Sequence, residues 1–175
     1  MLWDLKNHTV TLQAHTRDKD AVVASMLICE MAAYYKAQGK TLIDVMNGLY
    51  DEFGYYCNTV QSYTFEGASG MEKMAAIMDG LRVNKPSSFA GYEVTKIDDY
   101  KTSKSTDVKT GEESEITLPK SNVLAYTLTD GNKVIVRPSG TEPKIKAYIT
   151  AIGTSEENAK QIAQKLLKDA DELMK

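Results

Sequence analysis

Apolar positions change period several times along the chain, and each change marks an element. Residues 1–15 hold no sustained period, although 9–12 could form a short extended run. Asp18 or Asp20 can cap a helix, and residues 21–35 (AVVASMLICEMAAYY) then carry only Ser25 and Glu30 as clearly polar side chains. A helix apolar on nearly every side is expected to be buried on nearly every side. Gly39 reads as its C-cap. Thr41 and Asp44 have capping-box spacing, and Leu42, Val45, Met46, Leu49, Tyr50 and Phe53 fall on one face of a second helix that ends at Gly54. Residues 58–65 (NTVQSYTF) are β-branched and aromatic enough for a strand, which Gly67 breaks. Ser69 and Glu72 repeat the capping spacing, and Met71, Met74, Ala75, Met78 and Leu81 give a third helix that stops before Pro86. The methionine stripe reads as core filling.

Residues 91–100 read as a strand, and 101–120 as a polar stretch without apolar period, either a solvated loop or a ragged hairpin. Residues 123–128 and 133–137, joined through Asp130-Gly131, form the strongest hairpin signal in the chain. Along 144–152, Ile145, Ala147, Ile149 and Ala151 alternate with Lys146, Tyr148 and Thr150, so one face packs and one is wet. The last helix opens at a Thr154/Glu157 capping box and keeps i, i+3, i+4, i+7 spacing through Ala159, Ile162, Ala163, Leu166, Leu167, Ala170, Leu173 and Met174, with acids leading and lysines following. The pattern predicts an α+β chain whose C-terminal part is a four-stranded antiparallel sheet with helices on one face.

Composition narrows the function classes. The chain has 175 residues, 42% hydrophobic and 26% charged, with net charge −3, which suits a globular protein able to bury a core unaided. Cys29 and Cys57 form no C-x-x-C pair and lie in apolar surroundings, as reduced core thiols of a cytoplasmic protein would. No segment reaches the roughly 20 apolar residues that span a bilayer, and the opening residues lack a signal peptide's apolar run, so no membrane association is expected. Twenty-one basic and 24 acidic residues are spread without a basic block, which argues against nucleic acid as a partner.

His8 and His15 show no spacing to a serine, cysteine or carboxylate that would suggest a triad or a metal site, so no catalytic or metal-ligating residue is assigned. The informative run is 137–143, R-P-S-G-T-E-P, bracketed by two of the chain's four prolines. Arg137 offers a bidentate guanidinium, Ser139 and Thr141 offer hydroxyl donors, and Gly140 leaves room for backbone N–H groups to approach oxygen, which together suit a phosphate. The alternative is a plain strand connection in which Ser139 and Gly140 make the turn and Arg137 forms a surface ion pair.

The run RPSGTEPKIKAYITA resembles the phosphate-binding loop in the C-terminal domain of the α-D-phosphohexomutases, the family of phosphoglucomutase and phosphomannomutase. HTRDKDAVVASMLICEMAAYY and YTFEGASGMEKM resemble the end of that family's third domain and its passage into the fourth, so the likeness runs from about residue 16 to 175. It implies a TATA-box-binding-protein-like C-terminal domain at 59–175, preceded at 1–58 by a mainly helical remnant of an α/β domain.

Family enzymes move a phosphoryl group between the C1 and C6 oxygens of a hexose through a phosphoserine and Mg²⁺. Neither their T-A-S-H-N serine loop nor their D-x-D-x-D-R metal loop occurs here, and NHTVTLQAH stands where the G-E-x-S-G sugar loop would precede Arg17. G-E-E-S-E at 111–115 comes near that loop, but it ends in Glu and lies in the polar connection, so it is not assigned to sugar. The resemblance implies a C-terminal fragment, inactive alone, that binds no cofactor. It would hold the phosphate of a phosphorylated hexose through Arg137, Ser139, Gly140 and Thr141, with Lys19 near the sugar. The alternative is a non-catalytic phosphosugar-binding or oligomerisation module. A helix pair deprived of its sheet would drive homo-oligomerisation through residues 18–53.

Overall fold

Local capping decides where the helices begin. In the computed structural model, which describes residues 2–4, 9–11, 20–67 and 69–174, the chain divides into two units, Met1–Phe53 and Gly54–Lys175. In the first unit, β1 (Leu2–Asp4) pairs antiparallel with β2 (Thr9–Thr11). Helix α1 (Ala21–Ala37) starts where Asp20 Oδ1 accepts the amides of Val22 at 2.9 Å and Val23 at 3.0 Å. Helix α2 (Leu42–Phe53) starts at the expected reciprocal box: the Thr41 amide donates to Asp44 Oδ2 at 2.8 Å and the Asp44 amide to Thr41 Oγ1 at 3.1 Å.

Burial in this unit departs from expectation. Neither α1 nor α2 contains a buried residue, and Val22, Met26, Ile28, Ile43 and Phe53 are all exposed. A continuous apolar pattern marks a helix that needs cover, and the described residues of its own chain do not supply it. Cys29 is likewise exposed rather than a core thiol, while Cys57 is half-buried; both are free.

The second unit is built on β3 (Tyr55–Thr64), α3 (Gly70–Val83), β4 (Ser88–Phe89), β5 (Tyr92–Asp99), β6 (Lys104–Asp107), β7 (Glu113–Glu115), β8 (Leu124–Leu128), β9 (Lys133–Pro138), β10 (Lys144–Gly153) and α4 (Glu156–Leu173). All strand pairs are antiparallel, in the order β3-β10-β9-β8-β5-β6-β7, with β4 joined to β5. The sheet thus has eight strands among the described residues where four were expected. The additions have physical causes. β3 is laddered to β10 along its whole length, Tyr55 opposite Gly153 through Thr64 opposite Lys144. β6 and β7 make the polar stretch a hairpin; lying at a wet edge, they need no apolar alternation.

One face of this sheet is dry. Leu124, Tyr126, Val134, Val136, Ile145 and Ile149 pack under Met74, Met78 and Leu81 of α3 and Ile162, Ala163 and Leu166 of α4. Asp130 and Gly131 have φ of 59° and 77°, and they reverse the chain within the three-residue turn Thr129–Gly131, closed by the Leu128 amide donating to the Asn132 carbonyl at 2.8 Å. Asn132, buried just after it, spans two elements: its amide Nδ2 donates to the Thr129 carbonyl and its Oδ1 accepts the Ile152 amide at 2.9 Å. Helix α4 begins one residue later than expected. Ser155 Oγ accepts the Asn158 amide and Asn158 Oδ1 accepts the Thr154 amide, both at 3.1 Å, so Ser155 and Asn158 replace Thr154 and Glu157. Its last turn carries no basic residue, so the lysines sit mid-helix instead of at the C-terminus. No helix among the described residues is long and apolar enough to cross a membrane.

Candidate functional site

The wet face is set by strand alternation. Pro138, Val136, Ile145 and Ala147 point into the core, so Arg137, Lys146 and Tyr148 must point out. Register then brings two cations together, because Arg137 stands directly opposite Lys146 on the adjacent strand. Both are exposed, and among the described residues neither meets a carboxylate within ion-pair distance. Like charges opposed in this way destabilise a sheet by roughly 0.2–1 kcal/mol unless something anionic lies between them.

The β9–β10 connection closes the site. The Ser139 amide donates to the Lys144 carbonyl at 2.7 Å, and the Lys144 amide to the Glu142 carbonyl at 2.7 Å. Ser139 Oγ accepts the amides of Thr141 at 3.3 Å and Glu142 at 3.2 Å, which orients the hydroxyl and leaves its proton to donate elsewhere. The Gly140 amide has no partner among the described residues. A Cβ on Gly140 would meet nothing within 4 Å, so the protein itself does not require glycine there; the open space above the amide is what a side chain would take.

The far end of the loop is braced. The Phe65 amide donates to the Pro143 carbonyl at 2.8 Å, and a Cβ on Gly70 would collide with the Phe65 carbonyl oxygen and come 2.9 Å from Pro143 Cβ. Glu142 is drawn aside by Lys144 Nζ at 3.2 Å.

The result is a concavity of about 300 Å³ lined by Arg137, Pro138, Ser139, Gly140, Thr141, Lys146 and Tyr148. The four residues expected from the sequence therefore line one hollow, and among the described residues Arg137 forms no surface ion pair. By alternation alone Lys146 and Tyr148 are the wet face of a strand; the register is what sets Lys146 beside Arg137. A second hollow, of about 260 Å³, differs in kind: Arg82 and Lys104 line it already paired with Asp99 and Glu113. The G-E-E-S-E stretch lies on β7 and the turn before it, four strand spacings or about 19 Å from β9, away from this site. Lys19 lies outside the described residues.

The model of the phosphoglucomutase/phosphomannomutase C-terminal domain matches residues 81–168, half of the chain and all of this site. The chain belongs to that family. Among its relatives are the phosphoglucomutases of Staphylococcus epidermidis, 40% identical over 134 residues, and Staphylococcus haemolyticus, 37% identical over 148. These alignments cover 77% and 85% of this chain but 24% and 26% of the relatives, so the chain spans about a quarter of their length. The phosphoglucomutase of Staphylococcus aureus aligns similarly, 42% identical over 134 residues. The phosphohexomutase fold expected from the sequence, α+β with helices on one face of an antiparallel sheet, is the one found.

Proposed function

We propose that this chain captures the phosphate of a phosphorylated hexose on the open face of its sheet, as the C-terminal domain of a phosphohexomutase. Arg137 and Lys146 neutralise the dianion, while the Ser139 and Thr141 hydroxyls and the Gly140 amide orient its oxygens. The observation that carries this reading is the facing pair of cations, without a carboxylate partner among the described residues, beside a hydroxyl-rich turn. An anion between them turns a repulsion into two charge-assisted contacts. Tyr148 offers the sugar ring a flat, half-buried wall.

The family resemblance assigns phosphoryl transfer to a phosphoserine and Mg²⁺ of a whole enzyme. In this reading the chain's own part is positioning: it fixes the phosphate end of the substrate while the reacting groups are supplied elsewhere in the enzyme. A coupled assay converting glucose 1-phosphate to glucose 6-phosphate is expected to show no turnover above blank with this chain. Calorimetry with glucose 1,6-bisphosphate tests the capture: the expected affinity is about millimolar, near −4 kcal/mol. Micromolar binding indifferent to Arg137→Ala would place the ligand elsewhere.

The same proposal puts the chain in the cytoplasm, consistent with two unbonded thiols. It also includes self-association through residues 18–53, supported by the exposed Ile43, Met46, Leu49 and Phe53 on α2.

A further inference from the structure

The two edges of the eight-stranded sheet are built differently. At one edge, β7 is three residues long and carries Glu113 and Glu115. Short length and charge are the usual means of keeping a foreign strand away. At the other, β3 runs ten residues, YYCNTVQSYT, without proline, glycine or any charge, and its ladder to β10 has no bulge. Its second edge is open: among the described residues no backbone group pairs with the outer side of residues 56–64. A long, uncharged, regular edge of this kind presents a row of N–H and C=O groups in register for pairing with another extended strand.

We propose that a second copy of this chain fills it, its own β3 adding antiparallel across a two-fold axis at Val60. Self-pairing follows from the side chains. On the open face, an axis at Val60 sets Val60 against itself, Asn58 against Ser62 and Tyr56 against Thr64. On the helix face it sets Thr59 against Gln61 and Cys57 against Tyr63. Apolar meets apolar, hydrogen-bonding groups meet each other, and no like charges are opposed. An axis one residue away, at Thr59, would place the Asn58 amide against Val60, and one at Ser62 would leave Tyr56 unpaired; the register is specified by the strand itself. The dimer would be one continuous sheet with a phosphate loop on either side of the axis.

Site-directed disulfides in the full chain test this. In a Cys29→Ser, Cys57→Ser background, Val60→Cys is expected to oxidise to a covalent dimer, because directly opposed Cβ atoms about 4.5–5.5 Å apart are near disulfide geometry. Asn58→Cys alone is expected to cross-link about tenfold less, yet to form heterodimers when mixed with Ser62→Cys, since those two positions are the ones opposed. Val60→Lys, at a residue 52% exposed, is expected to leave unchanged the melting temperature measured at dilutions where the chain is monomeric, and to weaken the dimer at least about tenfold by sedimentation, because it opposes two ammonium groups. Association through α1 and α2 alone, without a β3 seam, would give uniform cross-linking at these positions, whereas association there in addition leaves the Val60→Cys excess in place. Uniform yields, an absent Val60→Cys dimer, or a mass unaffected by Val60→Lys each overturn the proposal.

Discussion

Two arginines in the second unit carry opposite loads, and replacing each in turn separates binding from folding. Arg137 is exposed, with no carboxylate partner among the described residues, and faces Lys146. Its removal is expected to change stability by no more than about 0.5 kcal/mol, with relief of the Lys146 repulsion tending to raise it. On the ligand it removes two charge-assisted hydrogen bonds at about 1.5 kcal/mol each, about 3 kcal/mol or 150-fold. A millimolar site then falls beyond titration.

Arg82 is the reverse case. Its side chain is 14% exposed, its Nε lies 3.3 Å from both Asp99 oxygens, and its other nitrogens reach the Met78 carbonyl and Asn122. Arg82→Ala leaves Asp99, 17% exposed, with the Lys101 amide and the Thr102 hydroxyl as its donors among the described residues. The expected cost is about 2 kcal/mol, discounted from a fully buried pair because both groups still touch water. In a unit of this size that is about 6–8 °C in melting temperature. Melts followed by circular dichroism, with amide NMR titrations of glucose 1-phosphate, read both quantities on each variant. The reasoning is refuted if Arg137→Ala lowers the melt more than Arg82→Ala, or if it leaves the titration unchanged.

Other substitutions probe the same structure. Gly140→Ala should leave the melt unchanged, because the new methyl meets no protein atom, yet weaken phosphate binding measured by calorimetry. Gly70→Ala should destabilise by about 1–3 kcal/mol in urea unfolding, since its methyl collides with the Phe65 carbonyl. Burial first, with Asp99 adding to it, holds the Tyr126 phenol well above its ordinary value against the pull of Arg82, and burial with Asp171 does the same for Tyr63. The unfolded chain therefore ionises first, so stability should be intact below about pH 10 and fall above it. Tyr126→Phe should flatten that alkaline loss in pH-dependent melts. At the acid end, the Thr110 amide and hydroxyl hold Asp107 below its usual range, and the Lys104 ammonium does so for Glu113. Stability from these carboxylates is present above about pH 4 and should decline as pH falls below it.

What could be seen in the sequence was whatever depends on near neighbours. The Thr41/Asp44 box, the left-handed Asp130-Gly131 turn and the alternation of β10 are each determined within a few residues. What escaped depends on register or on surroundings. Lys146 is one polar residue in an alternating strand until β9 is laid beside β10. β6 and β7 lack apolar alternation because they form the wet margin of the sheet, so the polar run of 101–120 hides a hairpin. Asn132 belongs to a turn by composition, and its burial between Thr129 and Ile152 appears only when β10 returns past it. The apolar run of α1 is helical as expected, but periodicity cannot say what covers it, and none of its residues is buried.

Crystals grown with glucose 1-phosphate would test the central claim most directly. The account predicts phosphate oxygens within hydrogen-bonding distance, about 2.7–3.2 Å, of the Arg137 guanidinium, the Ser139 hydroxyl and the Gly140 amide, with Lys146 turned toward them. An empty turn, with Arg137 folded onto a carboxylate of its own chain, would contradict it.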